Sequence, residues 1–237
     1  MAAGATKPWA SDDVRVFSRL AGIGFSPTVI FDVGAAEGSW SELLSPVFPN
    51  ASFHLFEPLA DFMPFYQAGL KTRLERHAKF TLHPVALGDQ NGPVRMSIHP
   101  DGYSSTVFDM SGHPHYPGLH NVEMRRLDEF VERHQLPLPD LIKIDTQAAE
   151  MLVLSYARQC LDHASVVFAE AWFDRGYGPG TPLITELSAF LDTHGYQLVE
   201  LGHLFYDQNH RLYGCDAFYL KRSLLTQYAP LLPATPW

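Results

Sequence analysis

Short apolar runs typical of buried β-strands alternate with stretches of helical periodicity along most of this chain. The clearest run covers residues 28–34, where β-branched residues lead into an aspartate and a glycine. Further strand-like runs follow at 52–57, 80–87, 141–145, 166–172, 196–201 and 216–220. Strands that are separated by helices form right-handed βαβ units, and the alternation therefore predicts a mostly parallel sheet.

The two ends of the chain depart from this alternation. Residues 1–27 precede the first strand-like run and are predicted to form a helical extension, in which Ser11 and Asp12 offer an N-cap. The last two runs have no helical stretch between them, so we expect an antiparallel hairpin at one edge of the sheet. Together these patterns predict one α/β domain over residues 1–237, with a seven-stranded, mostly parallel sheet that ends in this hairpin.

The segment 89–121 also breaks the alternation, because glycine and proline recur through it. Asn91 and Gly92 are typical of a turn, and residues 94–98 suit a short hairpin strand. We expect the rest of the segment to be an inserted loop region that serves the substrate, since long loops in compact domains are often functional.

Composition narrows the class of protein. The chain has 237 residues, 46% of them hydrophobic, which is enough for a single domain with a real core. The net charge of −9 argues against duplex DNA or an anionic membrane as the main partner. No run approaches the roughly 20 apolar residues that span a bilayer, and residues 1–9 lack an apolar signal core. Because Cys160 and Cys215 do not form a CxxC pair, we expect unpaired thiols, a reducing compartment and a cytoplasmic location.

The first candidate site is the segment 32–39, which follows a predicted strand and opens a helix. Gly34 lets the backbone turn tightly, and Gly38 lets a ligand approach the start of the helix. The glycine spacing is GxxxG rather than the GxGxxG of dinucleotide-binding folds. Asp32 ends the strand, where a carboxylate suits a cationic amino-acid group. The alternative interpretation is an ordinary glycine-rich turn between a strand and a helix.

Two further strand ends carry residues that suit a nucleoside. The Glu57 carboxylate, followed by Pro58, can accept both hydroxyls of a ribose, and it lies roughly 20 residues after the glycine loop, as in nucleoside-binding βαβ units. Its alternative role is a solvated acid that caps a helix. Around Ala86, small residues leave room for a flat ring. Asp89 could bind an exocyclic amine, although a role in starting the turn at Asn91 is favoured.

The run 141–145 contains Lys143, and a charged residue is unusual inside a buried parallel sheet. Asp145 ends this run, at a position close to where a transferred group would lie. Glu150 falls on the helix that follows, where the helix dipole alone also favours an acid.

Five motifs occur in an order that resembles the FkbM family of methyltransferases. They are the glycine loop, Glu57–Pro58, residues 85–89, the Leu127–Asp128 step and the strand 142–145. The resemblance covers roughly residues 29–157, and it implies a Rossmann-like class I methyltransferase fold, S-adenosylmethionine as cofactor and methyl transfer to a hydroxyl, often on a sugar or polyketide. It implies a cofactor site formed by Asp32, Gly34, Ala35, Glu37, Gly38, Ser39, Glu57, Pro58, Ala86 and Asp145.

One departure from the family pattern follows directly after Asp145. The family usually continues Lys-Ile-Asp with Val-Glu-Gly, whereas this chain has Thr146, Gln147 and Ala148. An acid is lost at 147 and a glycine at 148. If that acid served a metal or the acceptor, this protein differs from its family in substrate or mechanism.

A hydroxyl that accepts a methyl group needs a base when it attacks. Asp145 is the first candidate, Glu170 at the end of the fifth strand is the second, and a histidine from the segment 89–121 is the third. For the acceptor we predict contacts from Tyr103, Ser105, His115 and Trp172. Aromatic side chains in such positions can stack on a sugar ring, although they also commonly serve packing alone.

The loop histidines His113, His115 and His120 invite a metal interpretation. The prolines between them and the lack of an HExxH motif favour structural or solvent-facing roles, so no metal is predicted. We expect a small-molecule acceptor, glycosylated or polyhydroxylated, and neither a nucleic acid nor a membrane as partner; a homodimer is left open. Two other functions stay open as well: a catalytically silent nucleoside-binding module and a nicotinamide-dependent oxidoreductase.

Overall fold

The computed structural model describes the backbone of residues 8–228 and, within it, the side chains of residues 12–225 and 227. Its main feature is a seven-stranded sheet with helices on both faces, joined by a smaller three-stranded sheet. The strands are β1 (Val29–Val33), β2 (Ser52–Phe56), β3 (Phe80–His83), β4 (Ala86–Leu87), β5 (Gly92–Ile98), β6 (Gly118–Arg125), β7 (Leu141–Ile144), β8 (Val166–Trp172), β9 (Tyr196–Tyr206) and β10 (Leu212–Lys221). The helices are α1 (Pro8–Gly22), α2 (Ser39–Leu44), α3 (Pro64–Arg76), α4 (Leu127–His134), α5 (Glu150–Leu154), α6 (Arg158–His163), α7 (Ile184–Thr193) and α8 (Arg222–Tyr228).

The strands of the main sheet follow the order β3-β2-β1-β7-β8-β10-β9. All neighbours from β3 to β8 are parallel, whereas β10 runs antiparallel to both β8 and β9. The predicted α/β fold is therefore confirmed, with its mostly parallel seven-stranded sheet and its terminal antiparallel hairpin.

Strand order reverses at β1, because the chain moves outward through β2 and β3 on one side and later adds β7 on the other. Sheets of this kind bind ligands beyond the carboxyl ends of their strands at such a point. The glycine loop follows β1, Glu57 follows β2 and Asp145 follows β7, so three of the predicted motifs lie at this edge of the sheet.

Both faces of the main sheet are buried, which explains why β1 and β8 consist mainly of apolar residues. One face packs against α1, α2 and α3, and the other against α4 to α7. On the first face, the Phe17 ring of α1 makes edge contacts with four aromatic rings: Trp40, Phe48, Phe168 and Phe218. Helix α1 is thus part of the core.

The predicted strand 80–87 is wrong as a single element, because the structure divides it between two sheets. β3 ends at His83, where Pro84 has no N–H with which to continue the ladder. Ala86 and Leu87 form β4, which pairs with β6 in the smaller sheet, of order β4-β6-β5. β6 begins inside the segment 89–121, in the part that the sequence predicts as loop. Residues 92–98 of this segment belong to β5, and residues 118–121 belong to β6.

The start of the first helix and the state of the two cysteines can also be compared with the sequence predictions. Helix α1 begins at Pro8, three residues before the predicted N-cap at Ser11, and residues 1–7 of the predicted extension lie outside the described residues. Cys160 and Cys215 are both buried and unpaired, as predicted. None of the helices between residues 8 and 228 has the length and apolar character needed to cross a bilayer.

Candidate functional site

Two adjoining pockets open at the carboxyl ends of β1, β2 and β7. They enclose about 700 and 980 Å³ of space between atoms, part of it open to solvent, and volumes of this size are typical of small-molecule sites. Gly34 and Asp145 line both pockets, so the two spaces meet at the ends of β1 and β7. We call the first the Glu57 pocket, and the second, which is lined by Asp13, Asp145, Glu170 and Asp216, the acidic pocket.

The glycine loop is pressed against the ends of both neighbouring strands. Gly34 has a φ of +76°, and a Cβ added there would lie 1.8 Å from the backbone oxygen of Asp145. The N–H groups of Gly34 and Ala35 both donate to the Phe56 carbonyl, at 3.0 and 3.1 Å. Only glycine fits this position, because any side chain would collide with the backbone that follows β7.

Glu57 is buried, and backbone N–H groups hold it in place. Its Oε2 accepts the N–H of Ala36 and its Oε1 accepts the N–H of Leu59, each at 2.8 Å. Burial raises the pKa of Glu57 to about 7, although these two hydrogen bonds act to lower it. Each carboxylate oxygen has a second lone pair, so Glu57 can still accept hydrogen bonds from a ligand.

The wall opposite Glu57 is apolar. It consists of Phe56, Val85, Ala86, Leu87, Met96 and Val107. The outer side is closed by the chain that follows β5, where the buried Ser105 hydroxyl accepts the His99 N–H at 3.1 Å. The ring of Tyr103 is packed against Phe65 and Tyr66, and 46% of Tyr103 is exposed. The pocket thus combines the Glu57 and Asp145 carboxylates with a mainly apolar lining.

Asp32, predicted to meet a cationic ligand group, pairs with the protein itself. It is fully buried, its Oδ1 lies 3.0 Å from the Lys143 ammonium, and its Oδ2 accepts the Ser41 hydroxyl at 2.7 Å. Burial lowers the pKa of Lys143, but Asp32 and then Asp145 raise it, and the net shift is upward. Lys143 also donates to the Gly34 carbonyl at 2.6 Å. The Asp32–Lys143 pair therefore holds the glycine loop.

Carboxylates from three distant parts of the chain converge in the acidic pocket: Asp13 on α1, Glu170 on β8 and Asp216 on β10. Burial, followed by repulsion from neighbouring carboxylates, raises the pKa of Glu170 and of Asp216 well above the usual range. Burial also raises the pKa of Asp13 to about 7. Aromatic faces complete the lining, contributed by Trp40, Tyr103, Phe168 and Phe205.

Asp13 and Asp216 are lining residues that the sequence motifs do not identify. Asp13 was nevertheless detectable, because it is at helical spacing from the apolar residues Val16, Phe17 and Leu20, which are fully buried. Its Oδ2 accepts the indole N–H of Trp40 at 3.0 Å. Asp216 lies in the closing hairpin, where the sequence gives no sign of which face points to the pocket.

The other predicted cofactor residues surround the glycine loop in different ways. Ala35 and Ser39 line the acidic pocket, and Pro58 and Ala86 line the Glu57 pocket. The Glu37 carboxylate accepts the Tyr103 hydroxyl. Gly38 begins α2 with a φ of +80° and lies against Leu55, Leu70 and Arg73.

Of the four predicted acceptor contacts, Tyr103 and Ser105 line the pockets, whereas His115 and Trp172 lie elsewhere. His115 is exposed beside His113. The Trp172 ring is buried against Tyr177, with 5.2 Å between ring centroids.

The three loop histidines do not form one cluster. His120 stacks on Phe62, with 3.8 Å between ring centroids, whereas His113 and His115 contact each other and Tyr116 or His99. Within residues 8–228, no group of three or more His, Cys, Asp or Glu side chains is arranged to hold a metal ion.

Comparison with known proteins places this geometry in a family. The model of the methyltransferase FkbM domain matches residues 32–198. Among curated proteins, the 2-O-methyltransferase NoeI of Sinorhizobium fredii is 28% identical to this chain over 186 residues, which are 71% of this chain and 73% of NoeI.

Solved structures agree at the level of the fold. A methyltransferase FkbM from Methylobacillus flagellatus has a TM-score of 0.56 and 18% identity over 90% of this chain, and the match spans 48% of that chain, about half its length. The O-methyltransferase TomG from Streptomyces achromogenes, solved in complex with SAM, has a TM-score of 0.51 and 10% identity over 92% of this chain and 82% of its own.

Proposed function

The chain belongs to the FkbM methyltransferase family, and from this premise we propose that it uses S-adenosylmethionine to methylate a hydroxyl of a polyhydroxylated small molecule. The observation that carries the proposal is the junction of the two pockets at Gly34 and Asp145. A nucleoside-shaped slot on one side and a polar pocket on the other bring a cofactor and an acceptor together at a carboxylate.

The Glu57 pocket fits the adenosine part of the cofactor by the chemistry of its lining. Glu57 has lone pairs free for the ribose hydroxyls, and two backbone N–H groups prevent it from turning away. Ala86 and Met96 belong to the apolar wall that would cover a flat ring. Gly102 and Ser105 close the slot from the segment 89–121, so we propose that this segment covers the cofactor as well as the acceptor.

Bound S-adenosylmethionine supplies a methyl group that its sulfonium already activates. The protein then has to align the acceptor oxygen and receive its proton, and alignment alone can account for much of the acceleration. Asp145 is suited to the proton because it lines both pockets and its side chain is 43% exposed. The Lys143 ammonium, 3.6 Å away, holds this carboxylate from its buried side.

The acidic pocket supports a polyhydroxylated acceptor. Carboxylates accept hydrogen bonds from hydroxyls, and the rings of Tyr103 and Phe205 can stack on a sugar ring. The similar protein NoeI is a 2-O-methyltransferase, and methyl transfer to a hydroxyl is a reaction of the same kind. We propose Tyr103, which lines both pockets, as an acceptor contact, whereas Ser105 lines the Glu57 pocket alone. His115 and Trp172 are better explained by packing and loop structure.

Calorimetry with S-adenosylhomocysteine tests the cofactor half. We expect micromolar binding by the wild type and, because a hydrogen bond to a charged group contributes about 1.5–3 kcal/mol, an affinity at least about tenfold lower in Glu57→Ala. Glu129→Ala, which changes an exposed acid, is the matched control. Equal affinity in a folded Glu57→Ala variant would contradict the site assignment.

A second measurement separates an enzyme from its alternatives. Release of S-adenosylhomocysteine, followed with a panel of free sugars and glycosides, should rise above the background without acceptor. Tight binding with no release across the panel supports a silent binding module instead. A nicotinamide absorbance carried by the purified protein supports an oxidoreductase.

A further inference from the structure

Gln147 occupies the position where the family pattern has an acid, and its side chain bridges two carboxylates. Its Nε2 donates to Asp145 Oδ1 at 3.1 Å and to Glu170 Oε2 at 2.9 Å. An amide nitrogen has two hydrogens to give, so each carboxylate receives one. A glutamate at this position has no hydrogen to donate when it is ionised.

Tyr177 determines which way the amide points. Its hydroxyl donates to Gln147 Oε1 at 2.5 Å, which leaves the NH₂ group on the side of the two carboxylates. The reversed amide would place its oxygen against the two carboxylates, which favours the present orientation. The backbone is held too, because the Thr106 hydroxyl donates to the Gln147 carbonyl at 2.8 Å.

The backbone at this position is strained. Gln147 has a φ of +54° and the following Ala148 a φ of +79°. Residues other than glycine adopt this region at a cost, and they do so mainly where the surroundings over-determine the conformation, as at functional sites. The chain keeps this conformation without the family's glycine, and its effect is to direct the Gln147 side chain between Asp145 and Glu170.

The two carboxylates are close enough to influence each other. Because they share one donor nitrogen, the bonded oxygens lie no more than about 6 Å apart, a distance at which two like charges repel strongly away from water. Glu170 is the buried member, and burial and the charge of Asp145 both raise its pKa. Glu170 is therefore the buried member whose pKa is raised, and Asp145 is the member open to the pocket.

We propose that Gln147 is a positioning residue that aims Asp145 at the acceptor hydroxyl and separates it from Glu170. The inference rests on the proposed function and deepens it, since it assigns a role in the same site to a residue that departs from the family pattern. In this arrangement the acceptor proton passes to Asp145 Oδ.

Gln147→Glu tests the proposal, because it replaces a donor by a third carboxylate of nearly equal size. We expect kcat at pH 7 to fall at least tenfold and the acidic limb of the kcat profile to move up by at least one pH unit. Gln147 also lines the Glu57 pocket, so the affinity for S-adenosylhomocysteine is measured in the same variant, and we expect the fall in kcat to exceed any fall in this affinity. A wild-type kcat and pH profile would overturn the proposal.

Tyr177→Phe keeps the test valid if Gln147→Glu does not fold. It removes only the hydroxyl that orients the amide, so we expect a three- to tenfold fall in kcat with little change in the cofactor KM. Tyr219→Phe is the matched control, because it also removes one tyrosine hydroxyl, which lies 3.0 Å from the Ser188 hydroxyl and away from Gln147. Equal kcat values in the two variants would count against Gln147.

A measurement without turnover keeps this proposal distinct from the proposed function. Carboxyl carbon shifts of Asp145 and Glu170, assigned with Asp145→Asn, can be followed by NMR from pH 4 to pH 9. In Gln147→Glu, we expect at least one of these titrations to move upward. Unchanged titrations overturn the proposed role of Gln147 even in an active enzyme. Shifted titrations in a protein without turnover support the role of Gln147 and contradict the proposed methyltransferase function.

Discussion

The two pockets that meet at Asp145 are assembled in different ways. The Glu57 pocket is formed mainly by chain segments at neighbouring strand ends, where Glu57 lies among apolar residues and Asp145 stands at the border with the second pocket. The acidic pocket brings together Asp13 and Asp216, which lie near opposite ends of the described chain, with Glu170 between them in sequence. Both pockets have a mainly apolar lining, but only the second gathers carboxylates from the first helix, β8 and β10.

This difference separates a general task from a particular one. A cofactor shared by many enzymes can be held by a short series of strand-end motifs. An acceptor requires a pocket of its own, and we propose that the terminal hairpin and the first helix supply it here. Substitutions in each pocket test whether the Glu57 pocket and the acidic pocket can be altered independently.

The largest expected effect comes from Asp145, which belongs to both pockets. In Asp145→Asn, we expect kcat to fall by about 10²–10⁴-fold, the usual contribution of a general base. The fold and the affinity for S-adenosylhomocysteine should be retained, because Asn preserves the shape of the side chain. Initial rates and calorimetry measure the two halves separately.

The exposed Asp61→Asn variant is the control for this loss of charge. If Asp145→Asn turns over like the wild type, Asp145 is structural and another group takes the proton. Glu170 is then the next residue to replace.

The contrast between the pockets also explains what could be predicted from sequence. Gly34 and Glu57 were identifiable because each directly follows a strand-like run, and strand ends in a parallel sheet share one edge. The fold was predictable for the same reason. The orientation of Trp172 was not, since position at a strand end does not tell whether a ring turns to the pocket or packs on Tyr177.

The second sheet could not be predicted, because its pairing depends on distant partners. β4 has only two residues, and its partner β6 begins in a glycine- and proline-rich segment. In β6 the buried residues are Val122 and Met124, too few for a clear alternation. Asp216 was missed for a related reason, since its pocket exists only once β10 has paired with β8.

The second prediction concerns the strands beneath the Glu57 pocket. His54 Nδ1 and His83 Nε2 lie 3.0 Å apart, an arrangement that needs one neutral ring as acceptor. Burial lowers the pKa of both, that of His83 to about 4 with a further contribution from His54. In the unfolded chain both histidines protonate near pH 6.5. The stabilisation that the neutral pair gives to the fold is therefore fully present above that pH and is lost as the pH falls toward 4.

Urea unfolding of the wild type and His83→Gln measures this effect. After allowance for partial exposure of His83, we expect the stability difference between them to change by about 2 kcal/mol between pH 7.5 and pH 4.5, with the wild type losing more. Glutamine retains a hydrogen-bonding group and does not titrate. If the difference in unfolding free energy between the two proteins stays constant with pH, the His54–His83 pair does not govern the acid stability of the strands beneath the Glu57 pocket.

The third prediction concerns a substitution that lies in the acidic pocket alone. In Asp216→Asn, we expect the acceptor KM to rise about tenfold, equivalent to one lost hydrogen bond to a charged group, with unchanged cofactor affinity. Burial and the neighbouring acids raise the pKa of Asp216, so the ionised form gains weight as pH rises. The effect of the substitution should therefore be larger at pH 9 than at pH 6.

Steady-state rates at both pH values test this, and Asp61→Asn again controls for the loss of one acid. A weaker affinity for S-adenosylhomocysteine in Asp216→Asn would mean that the cofactor extends into the acidic pocket. That result would remove the proposed independence of the two halves.

The smallest expected effect lies at the border between the pockets, in the strained backbone after Asp145. Ala148 is buried with a φ of +79°, and its neighbour Ala149 is equally buried with a φ of −89°. Replacing either by glycine removes one buried methyl group, which costs about 0.8 kcal/mol, and increases the freedom of the unfolded chain. Only Ala148→Gly also relieves a left-handed conformation, a gain of about 1–2 kcal/mol. We therefore expect Ala148→Gly to change the unfolding free energy by less than about 1 kcal/mol, and Ala149→Gly to be clearly more destabilising in urea unfolding. Equal losses of stability in the two variants would mean that the backbone beside Gln147 stores no strain. The hydrogen bonds of Gln147 alone would then hold Asp145 between the two pockets.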